Sequence, residues 1–340
     1  MLAEEDAVSG MRSVETLVVA RAVAAVLVVA NHSMFGVSLH GGLNALLVMS
    51  GLSLAMFAFD GTTRGAVRTM AWSGLRLAVP SFLLALVWQL LVGQISVPEL
   101  AFYSNWLYKS RIALFPIWYA QAFSQMLIGL VLLFFVTDMG ARIAQRPLFW
   151  VSLLYGLSVG TALTSHLLWN AAYYADKLPH LVAWNFVFGW LVWAVRSTMP
   201  RRVGQLALTG VLAVSIALLY LAVDADNGAT RALLLLLLVL PVIWLDRIAL
   251  PPVLARTAIV ASQAALFIFL FHYYAFLFIW RVGRNVGLEV ESQSPFLRLV
   301  AGVVGPILLW ALCTAMLRVY RRDYRLWPPG PSALLASATA

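Results

Sequence analysis

Ten apolar stretches, most of them near the ~17–25 residues that a helix needs to cross a bilayer, follow one another along a chain of 340 residues. They fall at 15–36, 43–59, 74–95, 113–136, 149–168, 181–195, 203–223, 232–245, 257–280 and 296–317. Hydrocarbon offers no hydrogen-bond partners, so such stretches must satisfy their own backbone groups, and helices do this within one segment. The expected fold is therefore all-α: a polytopic membrane helix bundle of about ten transmembrane helices. A water-soluble globule is excluded, because 62% of the residues are hydrophobic and the 11% that are charged cannot cover a domain of this size. The sixth and eighth stretches are short, and losing either would reverse the direction of every later span.

Basic residues in the connections set the orientation, since cytoplasmic loops collect Lys and Arg. With the N-terminus inside, 15 of the 23 basic residues fall on the inner side and 7 on the outer, Arg21 lying within the first span. This asymmetry and the even number of spans predict that both termini are cytoplasmic. The net charge of +9 then reports orientation and implies no nucleic-acid partner. The acidic start, "MLAEEDAVSG", and the lack of a small-residue cleavage pattern predict that the first span is retained. The chain divides into a cytoplasmic tail, 1–14, the bundle, 15–320, and a C-terminal cytoplasmic tail, 321–340, whose small, Pro-containing composition reads as disordered. One cysteine, Cys313, allows no intrachain disulfide and no thiolate metal site.

The polar residues inside the apolar stretches narrow the function. Every carboxylate falls in a loop, a tail or a helix end. Ion-coupled carriers usually hold an acid at mid-membrane, so the pattern speaks against one while leaving a facilitator open. The first span carries two bases instead, Arg21 and His32. Eleven residues turn the helix by about 1,100°, within ~20° of three full turns, and rise about 16 Å, so the two share one helix face. Each cationic residue at mid-membrane costs roughly 2.5–3.5 kcal/mol on insertion scales. Either Arg21 reaches the headgroups and His32 bonds a neighbouring helix, or the pair, flanked by Asn31 and Ser33, serves the chemistry. All five histidines fall in the outer half or the outer loops, but no two have helical ligand spacing and no span carboxylate accompanies them. A proton acceptor with a pKa of about 6.5 is the better reading than a metal ligand.

Arg64, Arg68 and Arg76, spaced by four and eight, are either ordinary positive-inside loading or a site for a phosphate-bearing cytosolic ligand. "WYAQAFSQM" places Trp118 and Tyr119 at the start of a helix, with Gln121 and Gln125 one turn apart behind them. The glutamines bond across helices or touch substrate. Ser50 and Gly51 offer a small surface for close helix approach. His272, beside Tyr273, reads by default as buried and satisfied.

Taken in order, these segments resemble the acyltransferase-3 family of integral membrane proteins. The family's hallmark is an arginine and a histidine separated by ten residues in the first span, as in "RAVAAVLVVANH". "LLVMSGLSL" is similar to the family's second helix. "RTMAWSGLRLAVP" resembles its arginine-containing third-helix start, with Arg68, Arg76 and Pro80, although the Arg-to-Pro spacing is one residue longer. "FPIWYAQAF" and "IFLFHYYAF" are similar to the tryptophan-containing fourth helix and the late helix in which a histidine precedes an aromatic. Many members carry a glutamate shortly after that tryptophan, where this chain has Gln121 and Gln125.

The resemblance implies a multi-pass protein of the plasma (inner) membrane that moves an acyl group, commonly acetyl, from cytosolic acyl-CoA to a hydroxyl of a sugar, glycan or lipid-linked acceptor. No cofactor is held permanently, acetyl-CoA serving as co-substrate. His32 would be the base or an acyl-carrying nucleophile, and Arg21 would stabilise charge along the route. Arg64, Arg68 and Arg76 would hold the donor's phosphates. Asn31, Ser33, Trp118, Gln121, Gln125, His272 and Tyr273 would support the acceptor or the base, with Asn31, Ser33 or a backbone carbonyl fixing the tautomer. The competing class is a non-enzymatic facilitator or a lipid or glycan transporter.

Overall fold

The computed structural model describes residues 11–33, 39–59, 61–107, 117–169, 177–221, 228–285 and 294–324. A short strand, β1 (Arg12–Glu15), leads directly into α1 (Thr16–His32), followed by α2 (Gly42–Ala58) and α3 (Thr63–Val92). A single helical turn, α4 (Val97–Leu100), and a 3-10 turn (Ser104–Trp106) precede α5 (Trp118–Thr137), α6 (Met139–Gln145), α7 (Pro147–Trp169) and α8 (Pro179–Thr198). Then come α9 (Arg201–Ile216), prolonged by a π-helical turn (Ala217–Leu221), α10 (Gly228–Trp244), β2 (Arg247–Leu250), α11 (Pro252–Gln263), α12 (Ala265–Asn285) and α13 (Pro295–Tyr324).

Each apolar stretch of the sequence is mainly helical where described. Among the described residues six helices are long and apolar enough to cross a membrane, and α1, α2 and α10 are shorter apolar helices. The fold is an all-α helical membrane protein. Large hydrophobics such as Phe57, Leu91, Val136 and Phe278 are exposed, as expected of a surface whose solvent is lipid.

Close helix contact at the centre depends on glycine. A Cβ added to Gly51 of α2 would fall on the backbone carbonyl of Phe186 in α8, and one added to Gly189 would fall on backbone atoms of Val48 and Leu52. Small residues bring helices together where lipid supplies no hydrophobic drive. Trp184, Phe186, Phe188 and Trp190 fill the surrounding core, each almost wholly buried.

Three departures from the sequence reading have physical causes. First, α3 starts eleven residues before the expected span. Thr62 caps it by accepting the N–H of Gly65 at 3.0 Å, and Thr63 pins its first turn to Asp138 and to the N–H of Ala141. Second, the expected span 257–280 is interrupted at Ala264. The joint is built from Ala261, Ala264 and Ala265, which pack on Ala22 and Ala25 of α1, so small side chains let a bent helix approach closely. Third, residues 12–14 of the expected N-terminal tail, together with Glu15 at the start of the expected first span, pair antiparallel with β2, Arg12 opposite Leu250 and Glu15 opposite Arg247. The N–H of Thr16 continues the pairing to the carbonyl of Asp246 at 3.0 Å. The start of α1 is thereby fixed to the face that also carries Arg196, Arg201 and Arg247, with Asp246 ion-paired to Arg196 at 3.8 Å and Arg201 at 3.0 Å. The helix α13 runs to Tyr324, past the expected boundary at 320, and 325–340 lie outside the described residues.

Candidate functional site

His32 is the last residue of α1, at the end opposite the arginine-rich face. The chain turns at once, because the Ser33 hydroxyl and N–H both bond back to the carbonyl of Ala30, at 2.8 and 3.1 Å. Asn31 accepts the N–H of Leu39 at 2.8 Å, which fixes the return of the chain. At Gly41 φ is +124°, and a Cβ there would lie 2.9 Å from Cβ of Leu234 and 3.1 Å from the carbonyl of Arg231. Glycine alone allows this turn to press on α10.

The helix α12 supplies the second imidazole. Nδ1 of His272 lies 3.0 Å from the carbonyl of Ile268 and 2.8 Å from that of Phe269. Carbonyls only accept, so Nδ1 carries hydrogen, and in the neutral ring Nε2 holds a lone pair. That Nε2 is 3.0 Å from Nδ1 of His32. His32 therefore donates from Nδ1, and its own Nε2 is the nitrogen left with a lone pair. The two rings lie within 9° of parallel, their centroids 5.1 Å apart. His272 is 5% exposed, whereas His32 is open to the adjoining space. Tyr273 stands edge-on to His32 at 6.5 Å.

Both histidines line a cavity of about 450 Å³, together with Asn31, His40, Asn44, Trp118, Lys177, Arg231 and Tyr273 and an apolar wall that includes Val28, Leu43 and Phe269. Of the residues the sequence singled out, Asn31, His32, Trp118, His272 and Tyr273 meet here. Ser33 is buried and engaged with its own helix. Among the described lining residues there is no Asp or Glu, and among the described residues no group of three or more His, Cys, Asp or Glu could hold a metal ion.

The other candidates lie elsewhere. Arg21 bonds the hydroxyl of Ser53 and approaches the carbonyl of Met49 at 3.5 Å, both on α2. The Tyr119 ring lies tilted against that of Phe269, their centroids 4.5 Å apart, and Tyr119 bonds Ser50, standing next to this cluster. Gln121 exchanges hydrogen bonds with Ser104 at 3.0 and 2.9 Å and donates to the carbonyl of Glu99 at 3.2 Å. Gln125 accepts from Asn105 at 3.1 Å and from the indole of Trp106 at 2.9 Å. The two glutamines thus hold the 99–106 segment against α5. Arg64, Arg68 and Arg76 are exposed along α3.

Sequence reasoning passed over Lys177 and Arg231 as loop charges, and over His40 and Asn44. One signal was present for Arg231. It occupies the first turn of α10, where the helix macrodipole disfavours a cation, so a position there needs another reason. Glu99, read as a loop carboxylate, is fully buried and accepts from Gln89 at 2.9 Å. No sequence pattern announces that burial.

A family model described as an acyltransferase domain matches residues 15–315. No curated protein and no solved structure matches the chain. The match runs from the first residue before α1 into α13 and so takes in both imidazoles, the cavity and the whole bundle around them. The chain belongs to the acyltransferase-3 family.

Proposed function

We propose that this membrane acyltransferase moves an acyl group, acetyl in the simplest case, from cytosolic acyl-CoA to a hydroxyl of a sugar, glycan or lipid-linked acceptor, with His32 as the base. The observation that carries the reading is the 3.0 Å contact between the two imidazoles. The carbonyls of Ile268 and Phe269 orient His272, and His272 orients His32. A second imidazole thus does the work that a carboxylate does in many hydrolytic triads.

The step balances without a further reagent. Nε2 of His32 takes the acceptor's hydroxyl proton as its oxygen attacks the thioester carbonyl carbon. The tetrahedral intermediate then expels the thiolate, and the C–S bond breaks. The same Nε2–H protonates the departing sulfur, which restores the neutral ring. While His32 is cationic, its Nδ1–H is shared with Nε2 of His272, which spreads the positive charge. Such base assistance is typically worth ~10²–10⁴ in rate.

The arginines of α3 are proposed to hold the donor's phosphates from the cytoplasm, and both termini are taken to face that side, in the plasma membrane. Arg21 would meet the donor's reactive end between those arginines and the cavity. Trp118 and Tyr273 would bound the acceptor, while Gln121 and Gln125 support the wall. The test is incubation of the full-length protein in detergent with labelled acetyl-CoA, following release of CoA thiol and label on added sugars. Wild type should release thiol, and His32→Ala, folded and inserted, should lose at least two orders of magnitude, within the range expected of a general base. Equal turnover by wild type and His32→Ala would overturn the assignment.

A further inference from the structure

A second cavity, of about 250 Å³, opens on the arginine-rich face, between the end of α8, the first turns of α9 and the end of α10. The proposed transfer does not use it. Its walls are of two kinds: the buried Val195, Leu208 and Ile243 are apolar, and the exposed Arg196, Arg201 and Asp246 carry charge. Gly204 lets α9 close on α8, since a Cβ there would lie 2.7 Å from Cγ1 of Val195. The two arginines thereby reach one carboxylate, Asp246 lying 3.8 Å from Arg196 and 3.0 Å from Arg201. Arg196 also donates to the carbonyl of Val242. These contacts use Nη2 of each guanidinium, one end of a fork with five N–H donors. Exposed ion pairs contribute little to stability, so the pairing is a weak reason to hold two guanidiniums against their mutual repulsion. Apolar surface begins beside the charges: Val203 and Leu206 of α9, and Leu245, which precedes Asp246, are exposed. The cavity thus lies where lipid-facing surface meets the polar face, and basic pockets between membrane helices at that level suit phospholipid head groups.

We propose that this cavity takes the head group of an anionic phospholipid, with Arg196 and Arg201 holding its phosphate. A guanidinium fork matches phosphate oxygens through paired N–H donors. Asp246 lowers the affinity of the site, because its carboxylate occupies the same two forks and repels a second anion. A soluble phosphate would meet the same arginines, but only a lipid also gains from the apolar wall and from the exposed hydrophobics beside it. The site is independent of the acyl-transfer reading and can be measured without turnover.

The probes are dioleoyl phosphatidylglycerol, dioleoyl phosphatidylcholine and the soluble glycerol 1-phosphate, titrated into the full-length protein in a neutral detergent. Retained lipid is counted by native mass spectrometry, and the shift in thermal unfolding is read alongside. Phosphatidylglycerol should bind about fivefold or more tightly than phosphatidylcholine, the attraction that a single arginine gives to an anionic head group, and raised salt should narrow the difference. Arg196→Gln and Arg201→Gln should each remove most of that preference, and Asp246→Asn should increase it. Arg256→Gln, at an exposed arginine outside the cavity, should keep it. His32→Ala should also keep it while losing acetyl transfer, so a failure of the transfer chemistry leaves the lipid result standing. Three results would overturn the proposal: equal binding of the two lipids, a preference unchanged in both Arg196→Gln and Arg201→Gln, or an equal loss in Arg256→Gln. A stabilisation by glycerol 1-phosphate that matches the lipid's would assign the arginines to a soluble phosphate and also overturn it. So would a loss of CoA affinity in Arg201→Gln with the lipid preference intact, which would assign them to the donor.

Discussion

Nδ1 of His32 and Nε2 of His272 meet at 3.0 Å, joining positions 240 residues apart in the chain. The contact makes the two rings one functional unit, and their variants should not be additive. His272→Ala should lower kcat by about 10–100-fold, less than His32→Ala, because the base survives while its orientation does not. The double variant should be no slower than His32→Ala alone. Steady-state rates of CoA release from all three variants check this, and multiplying losses would show that the rings act independently.

Arg64, Arg68 and Arg76 project from α3 at exposed positions. A multiply charged coenzyme gains Coulomb attraction from them both in the ground state and in the transition state, which is uniform binding. Single Arg→Ala variants should therefore raise the KM for acetyl-CoA several-fold while kcat stays within about twofold. Three variants with wild-type KM values would return these arginines to a role in orientation alone.

Helices were legible because lipid imposes length and apolarity on every crossing segment, so α2, α7 and α8 fall within two or three residues of the apolar stretches. What stayed hidden depends on contacts between distant segments. The break at Ala264 is set by packing on α1, and the burial of Glu99 by Gln89 and the segment held by Gln121. His272 read as a satisfied core residue, and it is satisfied, through Ile268 and Phe269. Its other nitrogen faces His32, which no pattern within α12 records. Ser33 and Asn31 flank His32 in sequence, yet a helix end sends neighbouring side chains in different directions. Ser33 turns back to Ala30, and Asn31 holds Leu39.

The approach of α2 to α8 leaves no space for side chains at Gly51 or Gly189. Gly51→Leu and Gly189→Leu should each force the helices apart, with losses on the order of 2 kcal/mol or more, the scale of core overpacking. Thermal unfolding in detergent should show lowered midpoints for both. Gly156→Leu, at a position with open space around it, should leave the midpoint nearly unchanged.

Reporter fusions test the orientation. A fusion after Arg202, at the start of α9, should report the cytoplasm, because the arginines around it form the densest basic face. A fusion after Asp226, a position outside the described residues, should report the opposite side. Reversed signals would exchange the sides given to donor and acceptor.

Arg21 separates two roles that the structure keeps close. Its guanidinium ties α1 to α2 through Ser53 and the carbonyl of Met49, and it does not line the cavity. If it were only a clamp, deleting its hydroxyl partner should reproduce much of its loss. If it meets the donor, the two deletions should diverge, since an arginine has five donors and the contacts to α2 occupy only part of the fork. We expect Arg21→Ala to lower kcat/KM for acetyl-CoA by at least about tenfold, and Ser53→Ala to stay within about threefold. Thermal unfolding of the same proteins supplies the control, because a clamp predicts parallel losses of stability. Matching losses of stability and turnover in both variants would remove Arg21 from the reaction and leave it as the joint between two helices.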